Sequence, residues 1–269
     1  MNGKTWRLRR IIDPADGKTL ILPLDHGVTQ GPIPGLVSPG AFLEGLCRVP
    51  PNAVVLHKGL LRFLPRTLEP KVGLIVHLSA ATQLADPDFK ILVTDPDEAL
   101  SMGADGVSVH VNFGGPHERM MLRDLGRVAA RCHTLGLPLL AMAYLRGGDA
   151  PDNPLEALAH AARVCAELGA DLVKIPWPGT VDWLERIVEG CPVGIVIAGG
   201  ENFLSPEERE HRVKAVLQAG AVGMAAGRTV FQAPDPYETL ATLYRLIHGP
   251  DWPSLPEGDA LTPNPVGEE

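Results

Sequence analysis

No two of the four cysteines, Cys47, Cys132, Cys165 and Cys191, stand close enough along the chain to form a C-x-x-C pair. That absence argues against a zinc knuckle, and the wide spacing fits reduced structural thiols better than a disulfide framework, so a cytoplasmic protein is expected. Basic clusters are missing as well: 24 Lys and Arg are outnumbered by 32 Asp and Glu, giving a formal charge of −8, and no Lys/Arg run offers a track for phosphodiesters or anionic lipids. Neither nucleic acid nor a membrane surface is expected as a partner. No apolar run reaches membrane-spanning length. The basic N-terminal stretch MNGKTWRLRRIIDPADGKT meets Asp13 before any long apolar segment, which predicts neither a secretory signal nor a span.

What the chain does have is enough apolar material for a large core, 45% of 269 residues, distributed with a regular rhythm. Eight short β-branched or Leu-rich runs recur: TLILPL (19–24), AVVLHK (53–58), GLIVHL (73–78), GVSVHV (106–111), LPLLAMAY (137–144), LVKIP (172–176), VGIVIAG (193–199) and VGMAAG (222–227). Between most of them lie segments with apolar residues at three- and four-residue spacing, such as 116–136 and 154–171, each ending near glycine. Near-continuous apolar strands alternating with helices predict a parallel sheet covered on its outer face. Eight such units in this length match a single-domain α/β fold, a (β/α)8 TIM barrel over residues 1–248, with a doubly wound sheet as the fallback. The spacings after the second and sixth runs are short, which predicts brief or irregular helices there. Residues 249–269 read as a Pro-rich, acidic tail, extended against the body or disordered.

In a TIM barrel the chemistry is built where the strands end. The first run is followed by Asp25 and His26, the second ends in His57 and Lys58, the third carries His77, the fourth His110 and Asn112. The fifth supplies Tyr144 and Arg146, the sixth Lys174, the seventh Gly199 and Gly200, the eighth Gly227 and Arg228. An inward lysine ringed by apolar neighbours, as Lys174 would be, is partly desolvated, and its pKa is expected to fall toward neutrality so that the amine can attack a ketone. The resulting protonated imine is an electron sink for C–C bond cleavage or proton loss, and Asp25 and Tyr144 could carry the protons. The structural alternatives are plain: an ion pair or exposed strand end for Lys174, a cap for Asp25, a strand-end aromatic for Tyr144. Lys58 competes with Lys174, because alternation points either His57 or Lys58 inward, and pattern alone does not choose.

The glycines Gly199, Gly200 and Gly227, with Arg228, occupy the place after strands seven and eight where barrels of this type bind phosphate through backbone N–H groups, which predicts a small phosphorylated sugar or ketone as ligand. A rival reading uses His26, His57, His77 and His110 as ligands of a divalent metal for hydrolysis or enolate stabilisation. No H-x-H or carboxylate pair accompanies them. A non-catalytic barrel that merely binds a phosphometabolite would keep the glycine cradle without needing a nucleophilic lysine.

The segments LPLDHGVTQGPIPGL (22–36), VVLHKGL (54–60), GVSVHVNFGG (106–115), AMAYLRG (141–147), DLVKIPW (171–177), VIAGGEN (196–202) and AVGMAAGRTVFQ (221–232) together resemble the archaeal-type class I aldolases, in order over about residues 5 to 245. That family includes fructose-bisphosphate aldolases and 2-amino-3,7-dideoxy-D-threo-hept-6-ulosonate synthases. The resemblance implies that Lys174 forms the Schiff base, that Asp25 and Tyr144 transfer protons, and that His26, His110, Arg146, Gly199, Gly200, Gly227 and Arg228 hold substrate and phosphate. It implies no metal or other cofactor, and assembly into rings, often decamers. In the fructose-bisphosphate branch a tryptophan usually precedes the tyrosine by two positions. Here that position is Met142, and the run VSVHVNFGG is closer to the heptulosonate synthases, so a condensation with aspartate semialdehyde is the expected activity and fructose-bisphosphate cleavage the alternative; a thiolase-like acyl transfer, seen in one relative, is a further variant. Trp177 and Thr180 depart from the family's usual K-x-x-Y-T-G-D, and Glu201-Asn202 from its GGPK.

Overall fold

The computed structural model describes residues 3–68, 72–148, 151–200 and 205–250. Eight parallel strands close into a barrel: β1 (Thr19–Pro23), β2 (Ala53–Leu56), β3 (Gly73–His77), β6 (Gly106–Phe113), β7 (Leu139–Leu145), β8 (Leu172–Ile175), β9 (Gly194–Ala198) and β10 (Gly223–Ala225). The order around the barrel is β1-β10-β9-β8-β7-β6-β3-β2, which places β9 opposite β3 and β10 opposite β6. All eight apolar runs are strands, and the predicted helices over 116–136 and 154–171 are α5 (Glu118–Leu135) and α6 (Pro154–Glu167). The short second connection is a 3-10 turn, Lys58–Phe63, and the short sixth one a regular ten-residue helix, α7 (Val181–Gly190). What periodicity did not predict is a small hairpin between β3 and β6, made of β4 (Ser79–Ala80) and β5 (Ile91–Leu92).

Strand alternation sorts the core into two layers. One set of side chains, Ile21, Val55, Ile75, Leu140, Met142, Leu172, Val196 and Ala225, fills the barrel interior. The other set, including Leu20, Val54, Val76, Val109, Val173, Ile175 and Ile197, packs outward against the helices. Fully burying each Leu, Ile or Val contributes about 1.5–3 kcal/mol, so both faces of every strand are committed to this topology. From below, Ile11 joins the interior cluster at 2% exposure. The segment that carries it is tied down by Lys4 to Asp171 at 2.7 Å and by Arg10 to Asp105 at 2.6 Å.

Proline is abundant yet the helices are intact, because the residue sits at their first turn, where no backbone N–H is missed. The caps Asp95, Asn153, Ser205 and Asp235 accept backbone N–H bonds in front of Pro96, Pro154, Pro206 and Pro236, opening α4 (Pro96–Ser101), α6, α8 (Pro206–Gln218) and α10 (Pro236–His248). The barrel closes at β1–β10, where Gly223 has φ 150° and a Cβ would stand 1.9 Å from the Thr19 carbonyl oxygen. Among the described residues all four cysteines are free thiols, and burial pushes Cys132 and Cys165 up to about 12. No helix of the described residues is long and apolar enough to cross a membrane. The tail expected over 249–269 lies outside the described residues from position 251 onward.

Candidate active site

Lys174 is the third residue of β8, two after the interior residue Leu172, so alternation turns its side chain into the barrel. It is 7% exposed and has no ion-pair or hydrogen-bond partner among the described residues. In register beside it on β7 stands Met142, and two residues further along the same strand, on the same face, is Tyr144. Lys58 lies outside: the chain leaves β2 and turns at residue 58, sending the ammonium to Glu98 of α4 at 2.8 Å with 41% of the side chain exposed.

Asp25 follows β1 at the N-cap position of the short helix α2 (His26–Gln30), yet its side chain makes no capping bond. It faces the barrel mouth. His77 Nε2 lies 3.8 Å from Asp25 Oδ2, and His26 Nδ1 3.8 Å from Oδ1. Burial by itself raises the Asp25 carboxyl, but His77, His26, Lys174 and His57 outweigh it and hold the group well below the usual carboxylate range. His77, in turn, is pushed down to about 4 by burial against the attraction of Asp25. Its other nitrogen, Nδ1, lies 2.8 Å from Ser108 Oγ. At neutral pH the pair is therefore a carboxylate beside a neutral imidazole.

Ser108, His110 and Asn112 form the inward face of β6. His110 Nε2 lies 2.8 Å from Asn112 Oδ1, the His110 ring stacks on Tyr144 with centroids 4.8 Å apart, and the Arg146 guanidinium sits 5.0 Å from the centre of the Tyr144 ring. Burial also lowers His110 well below its ordinary value, and His57 to a lesser degree. The phenol thus stands on the wall next to Lys174, its ring fixed by the histidine and bordered by an exposed cation.

At the ends of β9 and β10 the glycines are required by space as well as conformation. Gly200 has φ 83°, and a Cβ on Gly227 would stand 2.8 Å from the His26 ring and 2.9 Å from the Pro23 carbonyl oxygen. The N–H groups of Gly200 and Gly227 have no acceptor among the described residues. Thr229 Oγ1 donates to the Gly199 carbonyl at 3.2 Å, bracing the two strand ends together, and Arg228 opens the short helix α9 (Arg228–Phe231). The sequence-predicted residues are thereby gathered at one end of the barrel.

His26, His57 and His77 gather around Asp25 without bringing three ligand atoms within 4.8 Å of one another; among the described residues, the one group of three metal-capable side chains that does so is Asp13, Asp16 and His248, away from this mouth. The two family departures after β8 also fall outside it. Trp177 packs with the outer hydrophobic layer under Arg212, 4.7 Å from the ring centre, and the Thr180 hydroxyl caps α7 by accepting from Trp183 N–H at 3.3 Å.

Sequence reasoning missed Lys90. It is 7% exposed, just ahead of β5 in the hairpin that folds over the mouth, and its electrostatic neighbours are Arg146, Asp25, Asp88 and Asp86. Burial, with Arg146 adding to it, lowers its pKa. No signal in the sequence singles it out: the 27 residues between the third and fourth runs match the 25 to 28 of the crossovers after the first, fourth and fifth.

A model of the DeoC/LacD family of aldolases matches residues 19–233. A Streptomyces griseus protein named 2-amino-4,5-dihydroxy-6-oxo-7-(phosphonooxy)heptanoate synthase is 41% identical over 248 residues, covering 91% of this chain and 90% of its own. An Archaeoglobus fulgidus 2-amino-3,7-dideoxy-D-threo-hept-6-ulosonate synthase is 39% identical over 250 residues, covering 93% and 92%. Among solved structures, an archaeal fructose 1,6-bisphosphate aldolase superposes with a TM-score of 0.82 at 30% identity, over 92% of this chain and 100% of that one. A Schiff-base-forming fructose-1,6-bisphosphate aldolase does so with 0.82 at 29%, over 91% and 100%.

Proposed function

The chain belongs to the DeoC/LacD family of aldolases, and from that premise we propose that it is a class I, Schiff-base enzyme joining a three-carbon phosphoketone to an amino-acid aldehyde. The observation that carries the reading is Lys174, a buried amine on the inner face of β8 with no acid in ion-pair range among the described residues, flanked by Tyr144 and facing the Asp25 carboxylate. A structural lysine at 7% exposure would be expected to have a counter-ion, since an unpaired buried charge is costly.

The substrate class follows from the relatives. The Streptomyces griseus relative's name describes a heptanoate with a phosphate on C7 beside a ketone at C6, hydroxyls at C4 and C5, and an amino acid at C1 and C2. An aldol disconnection between C4 and C5 divides such a molecule into dihydroxyacetone phosphate and aspartate semialdehyde. In the proposed reaction Lys174 Nζ adds to the donor ketone and the carbinolamine loses water, with Tyr144 protonating the departing hydroxyl. The iminium acidifies the adjacent C–H; loss of that proton gives an enamine, which attacks the aldehyde carbon while the new alkoxide takes up a proton. Addition of water to the product iminium returns the ketone and frees the lysine. Asp25, kept as a carboxylate, serves as the proton acceptor in this cycle, and neutral His77 orients it. The N–H groups of Gly200 and Gly227 with Arg228 take the donor phosphate, and His26 lies between that cradle and Asp25.

No step calls for a cofactor. A cytoplasmic location and a ring-forming homo-oligomer belong to the same reading, the latter checked by the mass of the native particle in solution. Incubation of the enzyme with dihydroxyacetone phosphate and aspartate semialdehyde, followed by mass spectrometry, tests the reaction itself. The reading expects a phosphorylated amino-heptulosonate; cleavage of fructose 1,6-bisphosphate with no condensation product would move the enzyme to the other branch.

A further inference from the structure

The hairpin between β3 and β6 has no part in the chemistry above, yet it is firmly built. Gln83 N–H donates to the Thr29 carbonyl at 2.9 Å, Asn112 Nδ2 donates to the Asp88 carbonyl at 2.7 Å, and Phe89 stacks on His117 at 4.2 Å. The side chain these contacts bury is Lys90. At 7% exposure it is as enclosed as Lys174, and among the described residues it has no hydrogen bond and no acid within ion-pair distance. The cation that acts on it is Arg146, itself exposed on the rim after β7. Two neighbouring cations, one of them buried with Asp25, Asp88 and Asp86 near it but none in ion-pair contact, make a place for an anion.

Its position in the barrel says which anion. The hairpin springs from the end of β3, and β3 stands opposite β9, whose end carries Gly199 and Gly200, with β6 opposite β10, whose end carries Gly227. Lys174 on β8 lies between the two sides. A reacting chain whose phosphate rests on the glycine cradle and whose ketone reaches Lys174 therefore directs its far end toward Lys90.

We propose that Lys90, with Arg146 at the rim, forms a second anion subsite that takes the carboxylate of the acceptor aldehyde. This rests on the aldolase reading above and names the feature that selects a carboxylate-bearing acceptor over a neutral one. Lys90 touches substrate at a non-reacting end, so its contribution is to positioning and choice of acceptor.

The test compares 4-oxobutanoate with butanal, aldehydes of equal chain length with and without the carboxylate, each condensed with dihydroxyacetone phosphate by wild-type protein, Lys90→Met and Lys90→Arg. Loss of a charge-assisted hydrogen bond should lower the ratio of the two kcat/KM values by about 10- to 100-fold in Lys90→Met, and Lys90→Arg should restore most of it. A ratio equal to wild type in Lys90→Met, whether the two rates fall together or neither falls, overturns the subsite. Borohydride trapping of the donor on Lys174 is read separately on the same proteins. If wild type forms no adduct, the aldolase reading fails, and the subsite is then judged from calorimetric binding of 4-oxobutanoate against butanal. Selective loss of the former in Lys90→Met upholds it, and equal binding of the two by wild type overturns it.

Discussion

His77 bridges a charge and a hydroxyl: Nε2 lies 3.8 Å from Asp25 Oδ2 and Nδ1 lies 2.8 Å from Ser108 Oγ, in a pocket that leaves the residue 4% exposed. Burial depresses its pKa from 6.5 to about 4, so the unfolded chain takes up a proton first as the pH falls. Between those two values the folded state loses stability with acidification, by about 3 kcal/mol in total for a shift of this size, and below about 4 no more is lost through this group. Denaturant titrations from pH 8 to pH 4 should show that slope, with His57 and His110 adding to it in the same direction. His77→Asn should flatten it; an unchanged slope would mean that His77 is not buried as a neutral ring.

Asp25 behaves oppositely. Its carboxyl is held well below the usual range by the surrounding cations and imidazoles, against burial, so it remains ionised through the whole physiological window. Ionisation of Asp25 should therefore impose no acidic limb on kcat/KM anywhere near neutral pH. Asp25→Asn should lower kcat by about 10²- to 10⁴-fold, the usual share of a general base, while leaving donor trapping on Lys174 detectable. Full activity in Asp25→Asn would remove it from the proton-transfer set.

Tyr144 stands on the strand next to Lys174, its ring stacked on His110 at 4.8 Å. Tyr144→Phe keeps that stack and deletes only the hydroxyl. The expected result is a loss of about 10²- to 10⁴-fold in kcat with little change in stability, measured by steady-state kinetics and thermal unfolding side by side. A matching fall in both would assign the phenol a structural place.

Gly223 tests the fold independently of the chemistry. A Cβ there would stand 1.9 Å from the Thr19 carbonyl oxygen, on the seam where the last strand meets the first. Gly223→Ala should cost about 3 kcal/mol or more, since neither backbone can move without opening the barrel. Near-wild-type stability would mean that the seam is looser than its register.

The barrel was legible as eight apolar runs, but LVKI is apolar on both faces, so period two left open which parity points inward; the resemblance at DLVK singled out Lys174, which shares the inner face with Leu172 while Val173 points outward. Lys58 was ambiguous for a local reason. It starts a 3-10 turn, and once the chain leaves the strand, alternation no longer says where a side chain points. Lys90 was not legible at all. Its burial arises from a hairpin of two-residue strands, too short to carry a pattern, folded over a mouth whose other walls come from distant parts of the sequence. Trp177 and Thr180 looked like changes in the site, yet they serve the outer layer and a helix cap, because β8 ends at Ile175 and the chain beyond it turns away.

The central claim is that Lys174, among the buried and strand-end lysines, forms the imine. Sodium borohydride reduction with dihydroxyacetone phosphate, followed by intact-protein and peptide mass spectrometry, addresses it directly in wild type, Lys174→Ala, Lys90→Met and Lys58→Ala. One covalent adduct is expected, mapped to the peptide containing Lys174 and absent only from Lys174→Ala. An adduct on Lys90 or Lys58, or one that survives Lys174→Ala, would contradict it.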